Sequence, residues 1–129
     1  MHATLLYAAA LLATVTALTH SILGERRLIG PILGETAPGP VILKGSLARK
    51  ILRFAWHVTS LAWIAQAAVL VIIATLPPDT QGPPIVVVTG LSFLLMAVVS
   101  IAISRGRHVG WPLLAAVGIA ALAAVMWKS

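Results

Sequence analysis

Residues 54–78, FAWHVTSLAWIAQAAVLVIIATLPP, run for 25 positions without a charged side chain. A helix rises 1.5 Å per residue, so about 20 mainly apolar residues cross the roughly 30 Å hydrocarbon core of a bilayer. Within the run, Leu70-Val71-Ile72-Ile73 is apolar at every position. A strand of a membrane β-barrel must alternate polar and apolar residues, so the stretch reads as a transmembrane helix. Three more charge-free stretches lie on either side of it, 1–24, 80–104 and 108–127. The expected fold is all-α, an integral membrane bundle of four transmembrane helices in one domain over 1–129, with spans near 3–23, 52–76, 84–104 and 111–127.

The composition agrees. Of 129 residues, 60% are hydrophobic and 9% charged, with nine Lys or Arg, three Asp or Glu and a mean hydropathy of +1.03. A soluble domain carries roughly 25% charged residues. These values exclude a soluble enzyme and a disordered tail, and the lack of cysteine excludes a disulfide scaffold. The eight prolines (Pro31, Pro38, Pro40, Pro77, Pro78, Pro83, Pro84 and Pro112) all fall outside the expected helix interiors. Pro112 suits a first helical turn, where no amide donor is needed.

Orientation follows from the cations. The first connection holds Arg26, Arg27, Lys44, Arg49, Lys50 and Arg53, and the third holds Arg105 and Arg107. Eight of nine basic residues therefore share a side, and the positive-inside rule makes that side cytoplasmic and both termini outer. The expected location is a bacterial cytoplasmic membrane. Trp111 and Trp127 stand 16 residues apart, about 24 Å of helix, which suits an aromatic belt at both interfaces, with Tyr7 in a similar place on the first span. A cleaved signal peptide carries its positive charge before the apolar core, whereas here Arg26 and Arg27 follow it.

Connection 24–46 is rich in Gly and Pro yet carries Leu28-Ile29, Ile32-Leu33 and Val41-Ile42-Leu43. It reads as a cytoplasmic loop folded back on the membrane surface, with a lid over a site, or partner binding, as the competing readings. Ile-Leu-Gly-Glu occurs at 22–25 and again at 32–35, too short a repeat to imply a duplicated fold.

No Asp or Glu lies within an expected span, which weighs against ion-coupled transport. Histidine remains. His20 precedes Glu25 by five residues and His57 follows Arg53 by four, so both rings lie about 6 to 7.5 Å below the charged boundary. Ala9, Ala13, Thr16 and His20 share one helical face, and Ala9, Ala13 and Ala17 form a small-residue ladder that lets helices approach. On the second span, His57, Ser60, Ile64 and Ala67 form one row and Trp56, Thr59, Trp63 and Gln66 another. Ala116, Ala120 and Ala124 form a ladder on the fourth.

Three roles compete for His20 and His57. They can ligate haem b or a metal ion, with Arg53, Arg26, Arg27, Arg49, Arg105 or Arg107 pairing with propionates. They can hold an anionic lipid headgroup or a quinone carbonyl. Or each can bond a carbonyl or hydroxyl, such as Thr16 or Ser60, and serve packing alone. Glu25 and Glu35 have arginines or solvent as easier partners than a metal. Ser and Thr are scattered without a His and an acid at useful spacing, so no nucleophile is assigned and an enzyme is the less favoured class. The basic balance belongs to the cytoplasmic face, in contact with anionic lipids and not with nucleic acid.

The length resembles that of small multidrug transporters and membrane-embedded glutathione transferases, but the acidic residue of the first and the Arg, Asn and Glu array of the second are missing. Two segments stand apart from the apolar background, His20-Ser21-x2-Gly24-Glu25-Arg26 and Arg53-x2-Trp56-His57-x-Thr59-Ser60. The expectation is a binding or accessory subunit with haem or metal at His20 and His57, working as a homo-oligomer or within a larger membrane complex. The alternatives are a small oligomeric transporter and a lipid- or quinone-binding structural subunit.

Overall fold

The computed structural model describes residues 2–33, 46–77 and 82–127. They form α1 (Ala3–Gly24), a π-helical turn (Glu25–Ile29), α2 (Gly30–Leu33), α3 (Ser46–Thr75), α4 (Gly82–Ser104) and α5 (Trp111–Met126), and no strand occurs among them. Helices Ala3–Leu33, Leu47–Thr75 and Gly82–Ser104 are long and apolar enough to cross a membrane, so the chain is a helical bundle of multi-pass membrane type. At 16 residues, α5 is apolar but shorter.

The first helix does not stop at 23. It passes through the π turn and α2 to Leu33, so residues 25–33, expected in a loop, are helical. Pro31 lies inside this extension, where a regular α-helix would lose a hydrogen bond and set the ring against the carbonyl four residues back. The wider π turn immediately before it relaxes that conflict. Residues 34–45, which hold Lys44 and the last two residues, Gly34 and Glu35, of the second tetrapeptide, lie outside the described residues, as do Asp79 and Lys128. The second helix starts at Ser46, six residues before the expected position. Pro83 and Pro84 occupy the first turn of α4 and Pro112 that of α5, where their missing N–H groups cost nothing.

Packing runs in the order α3, α1, α5, α4, with little contact between α3 and α4. The α1 ladder is as expected: Ala9, Ala13 and Ala17 are fully buried, Thr16 is buried, and the Thr16 hydroxyl donates to the Leu12 carbonyl at 2.7 Å. On α3 the two expected rows merge. Ser60, Trp63, Ala67, Leu70 and Ile73 are buried, whereas Thr59 and Ile64 face outward. On α5 the buried row is Leu114, Val117, Gly118, Ala121 and Ala124, and Ala116 and Ala120 are only half-buried. Gly118 explains the shift. It meets Gly90 of α4 so closely that a Cβ on Gly118 would lie 2.8 Å from the Gly90 carbonyl oxygen. The N-terminal end of α1 is tied to the far end of α5, where the His2 N–H donates to the Ala124 carbonyl at 2.9 Å. The α4–α5 link thus falls at the same end of the bundle as the π turn and the start of α3.

Candidate functional site

The two polar segments singled out in the sequence meet across the α1–α3 interface. His20 Nδ1 lies 3.0 Å from Ser60 Oγ, and one position along, Ser21 Oγ lies 2.6 Å from His57 Nδ1. Each helix contributes one His and one Ser, which gives two reciprocal bonds. Trp56 lies flat on His20, with ring centroids 4.0 Å apart and planes inclined by 11°, and its indole N–H donates to the His20 carbonyl at 3.2 Å. Trp63 meets the same imidazole edge-on at 5.0 Å and donates its N–H to Met96 Sδ at 3.3 Å. Gly24 makes this possible, since any Cβ there would fall within the Trp56 indole.

The charged residues close the outer edge. Arg53 Nε lies 3.0 Å from Glu25 Oε1, and His57 Nε2 lies 3.4 Å from Glu25 Oε2. Arg53 is about half exposed, so the ion pair contributes roughly 0–1 kcal/mol and serves mainly to orient the carboxylate. The spacing is helical: Ser21 and Glu25, like Arg53 and His57, are four residues apart and share a face. Glu25 thus takes the arginine expected of it.

Beside this clamp lies a cavity of about 340 Å³, lined by Thr16, Thr19, His20, Leu23, Gly24, Arg27, Leu28, Trp56, Trp63, His108, Val109, Gly110, Leu113 and Leu114. No carboxylate is among these residues. From Thr16 to Arg27 the α1 wall spans eleven residues, about 16 Å. Arg27 and His108 therefore stand at the charged end, and Thr16, Trp63 and Leu114 at the apolar end. His108 comes from the α4–α5 link, a tight reversal with Arg105 at φ 52° and Gly106 at φ 76°. The Gly110 N–H donates to His108 Nδ1 at 3.1 Å, and the His108 N–H donates to Ser104 Oγ at 3.2 Å. Because Nδ1 accepts that amide proton, its lone pair is occupied and the neutral ring carries its own proton on Nε2.

The expected site residues thus divide. His20 lines the cavity, and His57 and Arg53 stand behind it in the clamp. Of the other arginines, only Arg27 reaches the cavity; Arg26 is exposed on the π turn, Arg49 is half-buried near the start of α3, and Arg105 and Arg107 are exposed on the link. Both ring nitrogens of His57 face protein groups, Ser21 and Glu25, so binding haem or a metal through it requires breaking one of these contacts. Among the described residues, no three His, Asp or Glu converge as a metal site.

Trp56, Trp63, Ser21, Glu25 and His108 were not among the expected site residues. Ser21, Glu25 and Trp56 carried a signal, their place in the two polar segments, and Trp63 carried one in its helical spacing from Trp56. For His108 the sequence indicated only the side, since the third connection shares the basic side with His20 and His57; its contact with the cavity depends on how α5 packs. Comparison of the chain with protein-family models, curated proteins and solved structures finds no match.

Proposed function

We propose that this chain is a small polytopic protein of a bacterial cytoplasmic membrane that acts as a binding or accessory subunit, holding an anionic amphipathic lipid in the cavity beside His20. The topology is four spans with both termini outside and the cationic end in the cytoplasm. α5 crosses as a short span of about 24 Å, matched by local thinning of the bilayer around its flanking Trp111 and Trp127. Exposed apolar faces on α3 and α4 contact lipid, a second copy or a larger membrane complex.

The observation that carries this reading is the polarity gradient of the cavity. Arg27 and His108 stand at its charged end, aromatic and aliphatic walls extend inward, and no carboxylate is among the lining residues. A headgroup phosphate gains about 1 kcal/mol from each cation near the membrane surface. His57, tied to Ser21 and Glu25, favours this reading over a bis-histidine haem or metal site.

Binding of short-chain phosphatidylglycerol to the purified protein, followed by the fluorescence of Trp56 and Trp63, tests the proposal. The expected result is saturable binding that Arg27→Gln weakens about 5-fold, corresponding to that roughly 1 kcal/mol, and no binding of the zwitterionic phosphatidylcholine analogue. Equal binding of the two lipids, or indifference to Arg27→Gln, would refute it. An absorption spectrum of the same sample separates the alternatives, because a Soret band lost in both His20→Ala and His57→Ala would establish haem instead.

A further inference from the structure

Ser21, His57 and Glu25 lie outside the cavity lining, and lipid binding there makes no use of them. Their order is that of a hydrolytic triad. The Ser21 hydroxyl lies 2.6 Å from His57 Nδ1, and His57 Nε2 lies 3.4 Å from Glu25 Oε2, a buried oxygen with no hydrogen bond among the described residues. We propose that Ser21 is an acyl-accepting nucleophile, with His57 as its general base and Glu25 as the positioning residue, and that the chain hydrolyses the carboxylic ester of a membrane lipid.

Hydroxyls in these helices have an easy alternative. Thr14, Thr16, Thr59, Ser92 and Ser104 each donate to the carbonyl four residues earlier on their own helix. Ser21 has no such bond among the described contacts; its hydroxyl is paired with an imidazole nitrogen on another helix. The tautomer follows from the other side of the ring. A carboxylate accepts only, so Glu25 draws the proton of His57 to Nε2 and leaves the Nδ1 lone pair facing the Ser21 O–H. Arg53, 3.0 Å from Oε1, holds the carboxylate in place. The 3.4 Å separation exceeds a formed hydrogen bond, and such contacts commonly tighten only when substrate is bound.

Depth selects the substrate. Ser21 lies four residues, about 6 Å, inside Glu25. The headgroup and interfacial layers occupy only some 5–7 Å on each side of the hydrocarbon core. With the charged residues among the headgroups, Ser21 falls at the level of the ester carbonyls of a glycerolipid. The residue is half-buried, at the edge of the α1–α3 interface and not in its core.

The chemistry balances with water as the only co-reactant. Ser21 Oγ attacks the ester carbonyl carbon while its proton passes to His57 Nδ1. The bond from carbonyl carbon to alkoxy oxygen breaks, and the departing alcohol takes that proton. Water then gives a proton to Nδ1 and attacks the acyl carbon. The bond to Oγ breaks, Oγ recovers the proton, and a fatty acid leaves. Throughout, Glu25 stays ionised beside the transient imidazolium.

The native protein in nanodiscs, treated with an alkyl fluorophosphonate and digested for mass spectrometry, provides the test. Phosphonylation at Ser21 is expected, absent in Ser21→Ala and slowed roughly 10²-fold or more in His57→Gln, the range of general-base assistance. Glu25→Gln slows it and Glu25→Asp restores part of the rate, whereas Ser92→Ala leaves it unchanged. Native protein that is folded by circular dichroism yet unlabelled at Ser21, or labelled equally fast in His57→Gln, would overturn the proposal. Vesicles of a defined diacyl phospholipid should release fatty acid with the native chain and not with Ser21→Ala; no release would overturn the lipid-ester assignment.

Discussion

The α1–α3 and α4–α5 interfaces are both close, but they are built from opposite materials. At α4–α5, Gly90 and Gly118 bring two backbones together, and a side chain on either would strike a carbonyl or a leucine. At the charged end of α1–α3, Gly24 makes room for one indole, and two His, two Ser, a Glu and an Arg fill the remainder. In lipid there is no hydrophobic drive between helices, so fit alone can hold a pair together. The α4–α5 interface shows that this chain has the small residues to do so.

The contrast breaks most readily at Gly118. Gly118→Val sets a branched side chain against the Gly90 carbonyl, a backbone atom that cannot rotate away, and overpacking of this kind costs about 1–3 kcal/mol. A marked fall in Tm, measured in detergent, is the expected outcome. Gly24→Ala should cost less, because its obstacle is the Trp56 side chain, which can swing aside. Its main effect should be on the fluorescence of Trp56 as the stack on His20 opens. An equal loss of stability in both variants would mean that the two interfaces do not differ in kind.

A smaller effect measures the clamp itself. In the double-mutant cycle of Ser21→Ala and His57→Phe, a coupling of about 1 kcal/mol is expected, within the range for interhelical hydrogen bonds in membranes. A coupling near zero would leave the 2.6 Å contact without energetic weight. The smallest change is in the link that presents His108. Arg105 has φ 52°, a left-handed conformation that costs a non-glycine residue about 1–2 kcal/mol, and glycine there loses part of that gain through chain entropy. Arg105→Gly should therefore raise stability by about 0.5 kcal/mol, read as a small rise in Tm, and leave the α1–α3 clamp unaffected.

Much of the scaffold was legible from charge placement. The apolar cores of the helices fall where the sequence has no charges, and the Ala9, Ala13, Ala17 face is buried as its spacing implies. The ends were less legible. The π turn carries the first helix past Gly24 and accommodates Pro31 in a way that no rule of breakers anticipates. On α3, the two rows appeared distinct because each was internally periodic. The helix buries the strip between them, taking Ser60 and Ala67 from one and Trp63 from the other. The pairing of Ser21 with His57 went unread for a similar reason. The imidazole is 36 positions away, and sequence spacing reveals a partner only when both lie on one helix.

What the sequence determined alone is the solvent and the polarity of the molecule. Twelve charged residues gathered outside long apolar runs fit helices that cross a membrane, and the described arginines collect toward one end. The identity of neighbours needed the tertiary structure. Helical periodicity places residues on a face, but the rotation and contact of one helix against another depend on side-chain fit: Trp56 over Gly24, Gly118 against Gly90. That fit turned two separated polar segments into one clamp and brought His108 to the cavity beside it.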